Sequence, residues 1–238
     1  MISRRWLFLP LLAIFWPFVI AATEPVPRAV VEKYLFLPDT GVYKIGDKVY
    51  RWDTDLIFIL YREQERPALA RLAEAINESE AMGERRIFLL PPMEELNRGG
   101  YDWPNMTLAV SGDFFDFQMA HGPLVGLEDY HAHAQAAGCF ALPNIPYRDR
   151  DHIVATAQII AREDLSGTLM EDCLFRGLMI SAGLMYTPAL ALSPAPLDET
   201  TRAEMLAVLA LLYHPKIAPG MTRDEFFAVL EGEGLIAD

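Results

Sequence analysis

Cysteine is nearly absent from this chain of 238 residues: there are two, Cys139 and Cys173, which excludes a disulfide-dense scaffold. Positive charge is scarce as well. Lys and Arg total 20, only four of them Lys, against 33 Asp and Glu, giving a net charge of −13. Binding a phosphate backbone needs a Lys/Arg surface, and Arg85-Arg86 and Arg148/Arg150 are too sparse to make one. No nucleic-acid partner is expected. Gly (15) and Pro (17) are scattered without period among 52% hydrophobic residues, so collagen-like, low-complexity and disordered classes are excluded. The chain lacks internal repeats, a Gly/Ser linker, a Walker loop, a dinucleotide-binding glycine pattern and a Gly-x-Ser-x-Gly elbow. No cofactor is therefore expected, and nothing marks a second domain. The length suits one sizeable core and is short for two.

What is present begins with a leader. Arg4 and Arg5 precede the apolar run Trp6 to Ile20, and small residues follow at Ala21 and Ala22. This is the pattern of a secretory signal peptide over residues 1–22, with cleavage after Ala21 or Ala22. Ser3-Arg4-Arg5 also resembles the start of a twin-arginine signal. The alternative is an uncleaved anchor, but the run is short for a hydrocarbon core of about 30 Å and contains Pro10 and Pro17. No Cys follows the leader, so lipidation at a mature N-terminal Cys is not available. Removing residues 1–22 leaves 18 basic and 33 acidic residues over 216, a net of −15. The overall mean hydropathy of +0.15 comes almost wholly from the leader. No second apolar run approaches spanning length. A periplasmic or secreted location is expected, with no membrane contact beyond the leader.

Residues 23–40 read as a linker, with Pro25 and Pro27, and an N-terminal segment; residues 41–238 read as one α+β domain. Gly41 to Ile45 and Lys48 to Trp52 flank Gly46-Asp47 as a small hairpin. Leu56 to Tyr61 is a continuous apolar run suited to a strand buried on both faces. Leu69, Leu72, Ala73 and Ile76 recur at helical spacing and predict an amphipathic helix from Pro67 to Asn77. Arg86 to Leu90, Met106 to Ser111 and the β-branched stretch Ile153 to Ala161 predict further strands. The final third turns helical. Thr168-Leu169-Met170-Glu171, Thr201-Arg202-Ala203-Glu204 and Thr222-Arg223-Asp224-Glu225 each have capping-box form, and Gly183 should close the first of these helices. The expected architecture is a mixed sheet in the N-terminal two-thirds and helices in the C-terminal third.

The segment from Cys173 to Tyr186 carries the most information. Zinc peptidases of the zincin type need two His at i and i+4 on one helix, a Glu after the first His to activate the metal-bound water, and a later helix-breaking Gly. Laid on that template, Arg176 takes the first His slot, Gly177 the Glu slot, Ile180 the second His slot and Gly183 the breaking Gly; Tyr186 falls where some zincins place a third ligand. Arg cannot ligate zinc, Gly has no carboxylate and Ile is apolar. An ordinary core helix ending at a Gly accounts for the same residues.

Cys173, Gly183-Leu184, Leu212-Tyr213-His214-Pro215 and Gly220-Met221-Thr222, with Trp52 to Tyr61 and the following helix, resemble a family of secreted bacterial proteins known as domain of unknown function 2927. Its pattern is Cys-x-x-Glu-Glu-x-x-Gln-x-x-Gly-Leu, then a helix ending Leu-Tyr-x-Pro, then Gly-Met and a last helix. The resemblance covers most of the mature chain and implies a zincin-like fold in a secreted protein. Arg176, Gly177 and Ile180 replace the Glu-Glu and Gln, and the Asn-Asp loop after Gly-Leu is missing. The resemblance therefore supports fold and compartment and weakens a catalytic inference.

An oxidising compartment makes a Cys139–Cys173 disulfide the expected state, the alternative being two separate buried thiols. His131-Ala132-His133, with His121, Glu128 and Asp129 nearby, is the one histidine cluster. On a strand, His131 and His133 would share a face and could chelate Zn²⁺ or Cu²⁺, but the Ala-rich stretch Tyr130 to Gly138 reads as a surface loop or short helix, and in a helix the two diverge. Asp113 and Asp116 in a Gly-containing turn, Asp149 to His152 and the Asn105-Met106-Thr107 sequon are weaker candidates. The sequence thus favours a non-catalytic zincin-like domain that binds an unknown protein or envelope component. Its rivals are a metal-dependent hydrolase with its site at His131/His133, and a structural accessory subunit of a periplasmic complex.

Overall fold

The apolar run at Leu56 forms a strand because its β-branched and aromatic residues suit a pleated, covered surface, and parallel neighbours flank it on both sides. The computed structural model describes residues 25–36, 48–92, 104–121, 128–144, 154, 156–184 and 196–237. The leader, Gly41 to Ile45, Arg148 to His152 and Tyr186 lie outside them. In chain order the elements are β1 (Val26–Pro27), α1 (Arg28–Leu35), β2 (Leu56–Leu60), α2 (Arg66–Glu78), β3 (Ile87–Leu89), β4 (Met106–Val110), α3 (Gly112–His121), α4 (Glu128–Ala137), β5 (Cys139–Asn144), β6 (Thr156–Ala161), α5 (Gly167–Ser181), α6 (Glu199–Leu212), α7 (Arg223–Gly232) and β7 (Ile236–Ala237).

Five strands make one mixed sheet in the order β3-β2-β4-β6-β5. The first four are parallel, and β5 runs antiparallel to β6 at the edge, with Cys139 opposite Ala161. Residues opposed across a ladder share a face. Ile160 and Phe140 lie on one face, where the Phe140 ring meets Phe115 of α3 at 5.4 Å. Ile159, Ala141 and Cys139 lie on the other, against α5, with α2 packed beside it. Three layers result around a single apolar core.

The α+β class, the mixed sheet and the helical C-terminal third agree with the sequence. Several details differ. Leu56, Phe58 and Leu60 are buried while Ile57 and Ile59 are half-buried, so β2 is fully covered on one face only. Two further helices, α3 and α4, stand among the strands, so Asp113 and Asp116 sit on a helix rather than in a turn. Residues 26–35, expected as linker and N-terminal segment, form β1 and α1, with Val31 and Tyr34 fully buried.

The arm expected to pair with Lys48 to Trp52 lies outside the described residues; the segment itself is tied to the C-terminal third. Lys48 bridges Thr222, and Val49 exchanges backbone hydrogen bonds with Met221 and Gly220 at 2.8 Å each. Arg51 donates to the Leu212 carbonyl (3.1 Å), and the Trp52 indole donates to that of Ser181 (2.6 Å). The buried Tyr213 hydroxyl accepts from the Trp52 amide (3.2 Å) and donates to the Ala182 carbonyl (2.8 Å). Burial pushes its phenol pKa up, so it stays a donor. Gly183 ends α5 with φ +116°, and a Cβ there would sit 2.4 Å from the Tyr50 carbonyl. Removing the hydroxyl in Tyr213→Phe strands one buried donor and one buried acceptor. We expect a loss of about 1–3 kcal/mol, read as a lower urea midpoint at unchanged m-value.

The chain's first described elements close onto its last. β1 pairs in parallel with β7, and Phe36 packs on Phe226 and Phe227. Arg28 bonds Glu231 (2.7 Å), Arg223 bonds Glu32 (2.5 Å), and Glu204 accepts from both Lys33 (2.8 Å) and the Tyr34 hydroxyl (2.7 Å). The hydrogen bond from Arg223 holds the Glu32 carboxyl below its ordinary pKa, and that from Lys33 does the same for Glu204. A depressed carboxylate contributes stability that is complete above the unfolded value, about 4.3, and is lost as pH falls through the folded value. Hydrogen exchange of the α1 amides should therefore accelerate relative to the sheet as pH drops below about 4, and Glu32→Gln/Glu204→Gln should flatten that dependence.

Candidate functional site

Helix α5 crosses the sheet over β6 and β5, and the two cysteines fix it there. Cys139, the first residue of β5, bonds Cys173 in α5, with Cα atoms 5.9 Å apart. Both are buried. The bridge closes a loop of 34 residues, a contribution of about 3–4 kcal/mol in the chain-entropy model.

The three zincin-template positions on α5 meet different surroundings. Gly177 faces β6: a Cβ there would lie 2.9 Å from Ile159 Cγ2 and 3.0 Å from its other two side-chain carbons beyond Cβ. Ile180 is 1% exposed, sealed in the core with Leu184. Arg176 is 5% exposed, and burial pushes its pKa down against the field of Asp172 and Tyr34. It lines a cavity of about 210 Å³ beside the disulfide, with Asp172 on the same helix and Arg162 and Asp164 on the loop after β6. The arrangement brings one template residue to a cavity and closes the other two off. No open cleft exposes all three.

The cavity's polar walls are ordered by ion pairs. Asp172 accepts from Arg202 of α6 (2.5 Å) and from the Leu197 amide (2.9 Å), and the Arg202 guanidinium lies over the Phe175 ring at 4.9 Å. Arg162 holds Asp164 with two hydrogen bonds, 2.9 and 2.5 Å, which keeps the Asp164 carboxyl below its usual pKa. Gly138, at φ +67°, has Arg162 Nε 3.1 Å from where a Cβ would stand. Sequence reasoning passed over Arg162, Asp164, Asp172 and Arg202. The available signal was the pair Asp172 and Arg176, spaced i, i+4 on a helix whose other charged residue is Glu171.

The histidine cluster does not form a strand. His131 and His133 are on α4, two positions apart, so the helix turns them roughly 200° from each other. His131 Nε2 is 2.8 Å from the Met119 carbonyl, a contact that joins α4 to α3. The His133, Glu128 and Asp129 side chains lie outside the described residues. His121 stacks near Phe117 with ring centroids 5.3 Å apart. Among the described residues, no group of three metal-ligating side chains occurs. Asn105 of the sequon is structural: its Oδ1 accepts from Ile57 N and its Nδ2 donates to Asp55 O, both at 2.7 Å, pinning β2 beside β4.

These features define a disulfide-linked α+β domain with a charged cavity under its edge strand. No described helix is long and apolar enough to cross a membrane. Comparison with protein-family models, curated proteins and solved structures finds no match to the chain.

The closeness of α5 to β6 is directly testable. Gly177→Ala adds a methyl against a stiff β-branched neighbour, and we expect a net loss of about 1–2 kcal/mol after allowing for alanine's better helix propensity. In an Ile159→Ala background, which removes the three crowding carbons, the same change should become neutral or stabilising. Urea unfolding of the four proteins reads the coupling.

Proposed function

We propose that the chain is a secreted, non-catalytic domain of zincin-like type whose role is to bind a partner. The observation that carries this reading is the fate of the template positions. A catalytic zinc centre needs its ligands and general base around an open coordination position. Here the general-base position abuts Ile159 with no room for a side chain, and the second ligand position is an Ile buried in the core. Arg176, in the remaining slot, repels a metal ion and suits an anion. Support for zincin-like ancestry is the resemblance over Cys173 and Gly183-Leu184, placed on a helix that follows a strand and lies across a mixed sheet. Support for export is the leader together with a disulfide, a bond that persists in oxidising compartments.

A metal-dependent hydrolase at His131 and His133 is the rival. Elemental analysis of protein purified from the envelope or medium after expression of the full chain separates the two. The expected result is zinc far below one equivalent, and an N-terminus at Ala22 or Thr23. Stoichiometric zinc that disappears in His131→Ala/His133→Ala would overturn the non-catalytic reading. An intact mass that retains residues 1–22 in the cytosolic fraction would overturn export.

A further inference from the structure

We infer that the outer edge of β3 is a docking site for an extended segment of a partner protein that carries a basic side chain. The inference names the partner chemistry for the binding role proposed above and rests on that role for its biological meaning, though not for its geometry. The edge backbone is the first argument. β3 is an outer strand of the sheet, paired in parallel with β2 alone. Leu56 N donates to Arg86 O and Leu90 N to Phe58 O, at 2.9 Å each, so Arg86, Phe88 and Leu90 face β2, and Ile87 and Leu89 face outward. Ile87 is already covered: the Asn77 amide accepts from its N–H (2.8 Å) and donates to its carbonyl (2.9 Å), as a neighbouring strand would. Beyond Leu90 stand Pro91 and Pro92, which have no N–H to offer. Leu89, half-buried, is left with both backbone groups unpaired among the described residues. An edge blocked on both sides of one gap excludes open-ended strand stacking and leaves room for a single bridge.

The groove beside that gap is the second argument. It is open, holds about 480 Å³ between α2 and β3, and has Ala70, Ala73, Ile87 and Leu89 among its walls. A residue paired opposite Leu89 shares its face of the sheet and so projects into the groove, where the two alanines leave space. Its neighbours project on the other face, next to Phe88, which is 50% exposed. Charge complementarity is the third argument. Glu74 and Glu78 also line the groove, one turn apart on α2, and neither makes a hydrogen bond or ion pair among the described residues. Nearby arginines are engaged elsewhere: Arg71 with Glu171, Arg66 with Glu63 and the Leu90 carbonyl, and Arg86 with the Gly83 and Arg85 carbonyls. Among the described residues the lining thus carries two negative charges and no positive one. A Lys or Arg at the paired position lays its aliphatic stem along the alanines and brings its cation to the carboxylates. A second copy of this chain is the poorer occupant, because two-fold edge pairing would bring four like charges together.

Titration of the exported protein with the peptide acetyl-Thr-Val-Arg-Val-Thr-amide, followed by amide NMR, tests this. Saturable shifts should centre on Phe88, Leu89 and the α2 face from Ala70 to Glu78, and the Leu89 amide should exchange more slowly in the complex. The same peptide with Glu in place of Arg should bind at least about fivefold more weakly, and added salt should narrow that difference. A fully N-methylated peptide, which donates no backbone hydrogen bond, should not bind. On the protein side, Glu74→Gln/Glu78→Gln should weaken the Arg peptide by about fivefold or more. Ala70→Trp, at an exposed position, should fill the groove and block the peptide while leaving the unfolding midpoint in place. No saturable binding up to about 5 mM, equal binding of the Arg and Glu peptides, binding of the methylated peptide, or binding indifferent to these variants would overturn the proposal. Dimerisation of the exported protein that is lost in Ala70→Trp would also overturn it, by assigning the edge to a second copy. Zinc content, measured separately, reports on the non-catalytic reading without depending on this titration.

Discussion

Between α5 and β6 the separation is set by a missing side chain. At Gly177 the helix backbone comes so near Ile159 that even a methyl group would overlap three carbons. That approach lets Cys173 reach Cys139 on the edge strand, since the two cysteines need Cα atoms within disulfide range. It also brings Arg176 and Asp172 down to the level of the loop after β6. Moving the helix outward by the width of one methyl would strain the bridge and open the cavity. The packing, the covalent link and the candidate site are three consequences of one close contact.

The far end of α5 is fixed by different means. Its last carbonyls are taken by Trp52 and Tyr213, and Gly183 lets the Tyr50 carbonyl pass where any other residue would collide. Thus the segment 48–52, drawn from the N-terminal half, becomes a strap across the ends of α5 and α6. A buried network of this kind costs little when every member is satisfied and a great deal when one partner is removed. Beyond it, α1 is held to α6 and α7 through charged contacts and aromatic packing, so the N-terminal and C-terminal elements form one wall.

Three capping boxes were legible as patterns, and they fared differently for a shared reason. At Thr222 both halves form. At Thr168 and Thr201 the glutamates are drawn away. Glu171 pairs with Arg71 of α2 (2.6 Å) and Glu204 with Lys33 and Tyr34 of α1, and both helices start earlier, after Ser166, which makes no side-chain cap, and Asp198, whose side chain accepts from Thr201 N. A local pattern offers a carboxylate one partner, but tertiary packing can offer a cation at equal distance, and the sequence window does not contain that competitor. The segment Lys48 to Trp52 shows the same limit, because the partners of its described hydrogen bonds are more than a hundred residues away. The site was partly legible. Arg176, Gly177 and Ile180 were marked by their place in a motif, and the cysteines by being the only two. Arg162, Asp164 and Arg202 carried no local signal.

By itself the sequence determined what short-range physics controls: the amphipathic α2 from its 3.6-residue period, β2 from its apolar run and the end of α5 from Gly183; the disulfide it left as the favoured of two states. It also excluded a zinc site of standard form on α5, because the residue types there cannot ligate. Tertiary structure alone decided the strand order, the antiparallel edge, the strap from Lys48 to Trp52 and the meeting of five charged residues beside the bridge. Those outcomes depend on which distant surfaces pack together, and a one-dimensional pattern specifies the apolar face of each element without specifying the face it will meet.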